Sequence, residues 1–248
     1  MTLLAHQLAF EQRMFWRSRE AAVFIFIFPL LLYALLGSVY SDEIDGVPSA
    51  DVLLAGLFGY GAANTAFAGL AITLVIRREA GVLKRLRSTP LPPWTYVAAV
   101  LLSTLVVFAL QSAALLALGS IVFGASAPAN SLGFAGAVVL GVACFAGIGV
   151  GAAALIRSAE GVSAVVNVVL LPMAFLSGSF GPTREFPSYL QAIADVLPLT
   201  YFLDLVNGVY LDGESLFADL GALAVVAAWG VAGLAVAVRR FSWMPRER

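Results

Sequence analysis

Charged side chains are scarce in this chain, and one long stretch has none. Asp, Glu, Lys and Arg make up 12% of the residues, against about 25% in soluble domains. Residues 88–156 contain no charged side chain at all. Hydrophobic residues make up 61% of the chain, which is more apolar surface than a soluble fold of this length can bury. The composition excludes a soluble protein and predicts an all-α polytopic membrane protein.

The side chains that carry catalysis or bind metals are equally rare. His6 is the only histidine and Cys144 the only cysteine, so the apolar segments offer neither a metal-ligand cluster nor a histidine-activated nucleophile. The only lysine, Lys84, does not belong to a phosphate-binding G-x-x-x-x-G-K-[ST] motif. We therefore expect no enzyme activity, metal or cofactor in this chain. If the protein is a pump, ATP and Mg²⁺ must bind another polypeptide.

Six apolar segments have the composition of membrane-spanning helices, which need about 20 residues to cross a core of about 30 Å. They are residues 21–39, 52–76, 96–123, 132–156, 161–176 and 220–238. The fifth is short and runs into Ser177 and Gly178, so we expect re-entrant structure on the extracellular side over 177–210. We predict one six-span transmembrane domain over residues 21–248.

The basic residues are segregated, which predicts the orientation. Thirteen of the fourteen Lys and Arg residues lie in 1–20, in 77–87, at Arg157 or after residue 238. Arg184 is the exception, and acidic residues dominate the opposite loops. Cytoplasmic loops are enriched in Lys and Arg. Both termini and the segment 77–93 of this multi-pass protein are therefore predicted to be cytoplasmic.

Residues 1–20 have a moderately amphipathic helical pattern. Leu3, Phe10 and Met14 share one stripe, which Glu11 interrupts, and basic side chains lie on the far side. This pattern favours an interfacial helix along the cytoplasmic leaflet. An ordinary flanking segment is the alternative.

The predicted spans contain neutral polar residues but no ionisable relay. Most of these polar groups are expected to form hydrogen bonds between helices. Four are also candidates for a substrate path, namely Asn64, Thr65, Gln111 and Asn167. In the fourth span, Gly147 and Gly151 have the spacing that allows helices to approach closely.

The segment 77–93 is the most distinctive part of the sequence. Read as a helix, residues 82–87 place Val82, Leu83 and Leu86 on an apolar edge. Lys84, Arg85 and Arg87 point elsewhere, and a proline-rich stretch ends the helix before the third span. The segment is either a docking site for a soluble partner or a basic loop that touches anionic lipid.

Two strings resemble the signatures of the ABC type-2 membrane family of permeases. Residues 78–91 are similar to its cytoplasmic loop, R-E-x-G-T-L-K-R-L-x-x-T-P-L, with Val82 where Thr is frequent. The strings Phe175-Leu176-Ser177-Gly178, Phe186-Pro187 and Leu197-Pro198-Leu199-Thr200-Tyr201 resemble the second signature, near the fifth span. The resemblance covers essentially the whole chain.

The resemblance implies a mechanism and partners. In that family the loop is a coupling helix that docks on a separate ATP-binding subunit. Carried over, the contacts are Arg78, Glu79, Gly81, Leu83, Lys84, Arg85 and Leu86. The apolar edge is expected to supply much of the docking free energy, because exposed ion pairs contribute only about 0–1 kcal/mol.

The resemblance also implies two ATPase subunits and a second permease copy, giving a homodimer in membrane lipid, and no nucleic acid. The expected function is export of an amphipathic or hydrophobic substrate (a drug, a lipid or a lipid-linked molecule), as in the daunorubicin-resistance branch. An ion-coupled carrier and a non-transporting membrane scaffold are the alternatives.

Overall fold

A computed structural model of the chain describes residues 2–40, 43–44, 46–184 and 186–245. Met1, at the start of the predicted N-terminal helix, lies outside the described residues. So do residues 246–248, whose two arginines were counted as cytoplasmic, and the acidic loop residues Asp42, Asp45 and Glu185. The described chain is mainly helical. Its only strands, β1 (Glu43–Ile44) and β2 (Val47–Pro48), form a short antiparallel hairpin in which Ile44 pairs with Val47.

Eleven α-helices are found among the described residues. They are α1 (Leu3–Arg17), α2 (Arg19–Val39), α3 (Ser49–Ala62), α4 (Leu70–Glu79), α5 (Val82–Arg87), α6 (Pro93–Leu118), α7 (Ser131–Leu155), α8 (Val162–Leu176), α9 (Ser188–Ala194), α10 (Pro198–Tyr210) and α11 (Leu220–Arg240). Two π-helical segments, Ala63–Gly69 and Gly119–Phe123, follow α3 and α6. Side chains cap two of the long helices: Asn130 accepts a hydrogen bond from the Gly133 amide, and Asp219 accepts one from the Ala222 amide.

Five helical stretches of the described chain are long and apolar enough to cross a membrane. They are Ala22–Val39, Ser49–Glu79, Pro93–Phe123, Ser131–Leu155 and Leu220–Arg240. They match five of the six predicted spans within a few residues. The multi-pass prediction is therefore confirmed.

The fifth predicted segment, residues 161–176, forms α8 and is short, as the sequence indicates. Helix α8 has 15 residues and reaches about 22 Å, which is short of the roughly 30 Å hydrocarbon core. The sequence that follows α8 does not extend it, because turns begin at Ser177. Helices α9 and α10 meet at a bend of 80°, as in a broken span or a re-entrant loop.

The stretch Ser49–Glu79 is the centre of the bundle. Its 31 residues extend about 46 Å, and most of them are buried because other helices surround it. Helix α10 packs beside its N-terminal half, where Gly59 faces Leu199 and Leu203. At its N-terminal end the buried carboxylate of Asp51 accepts a hydrogen bond from the Ser126 amide, at 2.7 Å.

Helix α1 lies against α6 through a polar contact. The Gln12 side chain donates to the backbone oxygen and the hydroxyl of Ser103, at 3.0 and 2.9 Å. Leu3, Phe10 and Trp16 remain about half exposed. The predicted N-terminal helix is present, and its position at the lipid interface remains a prediction.

Glycines bring α7 and α11 into backbone contact. A Cβ atom added to Gly151 would lie 2.6 Å from the Gly233 carbonyl oxygen, and one added to Gly233 would lie 2.5 Å from that of Gly147. These distances leave no room for a side chain. The close packing predicted from the spacing of Gly147 and Gly151 is confirmed.

Replacing Gly151 with leucine should force α7 and α11 apart and lower the free energy of unfolding by about 1–3 kcal/mol, as overpacking does in other cores. Gly161→Ala is the matched control, because an added Cβ there meets only the Ser158 hydroxyl, at 3.7 Å. Thermal unfolding in detergent measures both variants. Equal midpoints for Gly151→Leu and the wild type would contradict this packing.

Candidate functional site

The segment between the second and third spans folds as a tight helical reversal. Helix α4 ends at Glu79, and Gly81 adopts φ +71°, in the left-handed region. Helix α5 then runs for six residues, and the hydroxyls of Ser88 and Thr89 donate to the carbonyls of Arg85 and Leu86. Open space surrounds the Gly81 Cα. The requirement for glycine there is therefore conformational.

Arg78 is the anchor of this segment. Its side chain is fully buried, and Nη1 and Nη2 donate to the carbonyl oxygens of Ala153 and Ile156, at 2.7 and 2.6 Å. These carbonyls lie at the C-terminal end of α7, where backbone acceptors lack helical partners and the helix dipole is negative. Nε pairs with Glu79 at 2.7 Å. Arg78 therefore fixes the end of α4 to the end of α7.

Arg77 makes a second connection, to α1. Its Nη2 lies 2.7 Å from Glu11 Oε2, and its Nη1 lies 3.0 Å from the Tyr96 hydroxyl. The two charged side chains are 12% and 4% exposed. Gln7 donates to the other Glu11 oxygen at 3.1 Å. Because each charge is paired and hydrogen-bonded, the desolvation of this ion pair is offset.

Sequence reasoning missed the pairing of Arg77 with Glu11. We had interpreted Glu11 as an interruption of an apolar helix face. A single carboxylate on such a face is costly to bury unless a cation reaches it. That cost is the signal that points to a partner on another helix.

The predicted apolar edge of α5 faces inward. Leu83 is fully buried in the core, and Val82 and Leu86 are half-buried. Leu83 already packs within the chain, whereas Val82 and Leu86 keep part of their surface, so the contribution of this edge to docking stays a prediction. The side chains that α5 presents outward are Lys84, Arg85 and Arg87.

The seven predicted coupling residues differ in burial and in the contacts they make. Arg78 and Leu83 are buried, Glu79 is partly covered by its pairing with Arg78, and Gly81 forms the reversal. Leu86 lines a groove toward α1, together with Arg85. Lys84 and Arg85 are exposed. Only these last two offer a charged head group to a partner.

Three of the four residues predicted to line a substrate path are buried within the helix bundle. Thr65 donates to the Gln111 oxygen at 2.8 Å, and both are buried, as is Asn64. Among the described residues, the side-chain nitrogens of Asn64 and Gln111 have no hydrogen-bond partner. Asn167, on α8, is half-buried and bonds to Ser163 of its own helix. Thr65 and Gln111 form the type of interhelical hydrogen bond that the sequence analysis expected of most such residues.

These features define a polytopic helical membrane protein. Its basic segment between α4 and α5 is hydrogen-bonded to three neighbouring helices, α1, α6 and α7. Residues 4–211 match the family model described as "ABC-2 type transporter". The chain belongs to this family.

Curated relatives share moderate identity with the chain. The "Probable multidrug ABC transporter permease YbhR" of Escherichia coli (strain K12) is 25% identical over 146 residues, 59% of this chain and 40% of the relative. The "Inner membrane transport permease YhhJ" of the same strain is 27% identical over 169 residues, 68% of this chain and 45% of the relative. "Nodulation protein J" of Bradyrhizobium diazoefficiens is 38% identical over 63 residues, 25% of this chain and 24% of the relative. The matches span less than half the length of these relatives.

Substituting Arg78 with methionine should lower the free energy of unfolding by about 3 kcal/mol, because it leaves two buried carbonyls and Glu79 without their donor. Arg87→Met is the matched control on the exposed face and should change stability by no more than about 0.5 kcal/mol. Thermal unfolding in detergent gives the comparison. Hydrogen exchange at residues 152–156 should accelerate in Arg78→Met alone. Similar effects of both substitutions would rule out the anchoring role.

Proposed function

We propose that this chain is the transmembrane permease subunit of an ATP-driven exporter, powered by two copies of a separate ATP-binding subunit. The observation that carries the proposal is the anchoring of α5. This helix presents cations outward, and the adjoining end of α4 is bonded to α7 and α1. Family membership and the names of the relatives support the same function.

The anchoring provides a path from the cytoplasmic surface to the bundle. The side chain of Leu83, on the inner face of α5, is buried. The adjacent end of α4 carries Arg77 and Arg78. A displacement of α5 relative to these contacts would expose Leu83 or break charge-assisted hydrogen bonds. Moving α5 together with α4, α7 and α1 is less costly. Force applied at α5 is therefore transmitted to the helices that cross the membrane.

The outward face determines how a partner is recognised. Lys84, Arg85 and Arg87 form a cationic surface, which would complement an acidic groove on the ATP-binding subunit. Exposed ion pairs contribute about 0–1 kcal/mol each. They mainly set the orientation and the rate of association. Arg78 and Leu83, which the resemblance assigned to the contact, act in this proposal as positioning residues.

A second copy of the chain would complete the transporter. Helix α8 exposes Val165, Val168 and Phe175 by 51–73%, and it is too short to span the core by itself. We assign this face to the interface of a homodimer, with the substrate path between the copies. Asn167 is the one predicted path residue on α8, next to this face. Apolar walls suit an amphipathic or hydrophobic substrate such as a drug, a lipid or a lipid-linked molecule.

The proposed orientation places both termini and α5 in the cytoplasm, with the protein in a prokaryotic inner membrane. Helices α8 and α10 then complete one crossing between them. Ser179, which follows α8, contacts Gly56, and α10 begins beside Gly59. From there α10 reaches the outer loop, where the Tyr210 carbonyl accepts from the Ala129 amide. This arrangement keeps thirteen of fourteen basic residues on one side.

Reversing two outward charges tests the coupling. The double variant Lys84→Glu, Arg87→Glu should lower transport and substrate-stimulated ATP hydrolysis at least about tenfold, because each lost orienting contact lowers the population of the docked complex. The measurement is reconstitution of the permease with the ATP-binding subunit in liposomes. Its unfolding temperature should stay unchanged, since both side chains are exposed.

Arg17→Glu with Arg239→Glu is the matched control, with the same charge change at exposed positions outside α5. Full transport by the α5 variant would contradict docking at this face. Transport without the ATP-binding subunit, abolished by an ionophore, would instead identify an ion-coupled carrier. Absence of transport in every arrangement would favour a scaffold.

Disulfide cross-linking tests the dimer interface. In a Cys144→Ala background, which removes the only native thiol, single cysteines at Val165, Val168 and Phe175 should cross-link two copies in native membranes on mild oxidation. A cysteine at Val139, which is 53% exposed on α7, is the control and should not cross-link. Cα atoms must approach within about 7 Å for a disulfide to form. Cross-linking at Val139 alone would place the interface elsewhere.

A further inference from the structure

A groove of about 260 Å³ lies between α1 and α5. Its walls are apolar, formed by Phe10 and Met14 on one side and by Val82 and Leu86 on the other. Glu11 and Arg77, which form an ion pair, also line it. Of the residues that line it, the proposed coupling uses only Arg85, which also belongs to the outward cationic face of α5.

The charges of the groove leave one cation without an acidic neighbour in the lining. Arg77 and Glu11 neutralise each other at 2.7 Å. Arg85 lines the same groove and is exposed. In the described part of the chain, Glu11 is the only acidic side chain that lines the groove. The groove therefore combines apolar walls with one available positive charge, which complements an anionic amphiphile.

Tryptophans locate the groove relative to the membrane. Trp16 at the end of α1 and Trp94 at the start of α6 are 48% and 67% exposed. Trp243, just after α11, lies 6.1 Å from Tyr96, which lines the groove. Tryptophan and tyrosine are enriched at the level of the lipid head groups. These side chains form such a belt at the basic end of the bundle, beside the groove.

The apolar wall on α1 is continuous with the apolar surface of α2. The Trp16 ring lies 5.3 Å from that of Phe26, and the Phe15 ring lies 6.4 Å from Phe26. Phe10 and Met14 are 51% and 37% exposed. An acyl chain can therefore enter the groove sideways from the leaflet. A water-soluble polypeptide would have to displace lipid from the same surface.

We infer that this groove binds one anionic phospholipid of the inner leaflet, with an acyl chain between α1 and α5 and the phosphate at Arg85. The volume is below the about 300–1,000 Å³ of pockets that enclose a drug-sized ligand, so it suits part of one chain. The bound lipid would contact both α1 and α5, next to the ion pair of Glu11 with Arg77. This inference does not depend on the proposed transport activity.

Lipid binding can be measured on the purified permease without any ATP-binding subunit. The protein is delipidated in detergent and titrated with phosphatidylglycerol or phosphatidylcholine, and bound lipid is counted by native mass spectrometry. The wild type should retain one phosphatidylglycerol more tightly than phosphatidylcholine. Arg85→Gln should weaken phosphatidylglycerol binding about fivefold, the effect of one basic residue near an anionic surface.

Lys84→Gln is the matched control, because Lys84 is the exposed cation next to Arg85 and does not line the groove. It should change binding by less than about twofold. Met14→Trp should reduce binding of both lipids by filling the groove, while Leu3→Trp, on the same helix but outside the lining, should not. Phe10→Ser gives the same test without added bulk.

Three results would overturn the inference. Equal losses for Arg85→Gln and Lys84→Gln would show a diffuse cationic surface. Unchanged lipid binding in both Met14→Trp and Phe10→Ser would show that the groove is not the site. Loss of copurification with the ATP-binding subunit in Met14→Trp, with lipid binding intact, would make the groove a protein-docking surface.

Discussion

The end of the bundle at which α4 meets α7 depends on a buried guanidinium group. Arg78 is fully buried, and three of its nitrogens each have an acceptor within 2.7 Å. A buried cation is tolerated only when its donors are occupied. The acceptors that occupy them are the carbonyls at the end of α7, which would themselves lack donors without Arg78. The guanidinium needs acceptors and the carbonyls at the end of α7 need donors. Because each satisfies the other, the position of α4 relative to α7 is fixed.

Two adjacent arginines in this way hold three different parts of the chain. Arg77 reaches α1 and α6, and Arg78 reaches α7. Successive residues on a helix point about 100° apart, so neighbours in sequence can contact different helices. The residues that define the basic segment are consequently of two kinds. Those at the end of α4 organise the bundle, and those on α5 remain available at the surface.

Much of this arrangement could be predicted from the sequence, and the reasons differ between elements. Apolar length predicted five spans within a few residues, because a membrane core demands long apolar helices. The same criterion marked residues 161–176 as too short for a full span, and α8 has 15 residues. The spacing of Gly147 and Gly151 predicted close helix packing but not the partner helix. The pairing of Arg77 with Glu11 joins residues 66 positions apart, and no local pattern encodes such a contact.

The reversal at Gly81 has a consequence for how this surface changes over time. The direction of α5 is set there by a backbone state with φ +71° and by the buried Leu83, while nothing crowds the Gly81 Cα. The exposed residues of α5 therefore have no part in building the helix they occupy. They are free to diverge without loss of the fold. A lineage can thus adapt to a new partner through these positions alone and retain the same membrane domain.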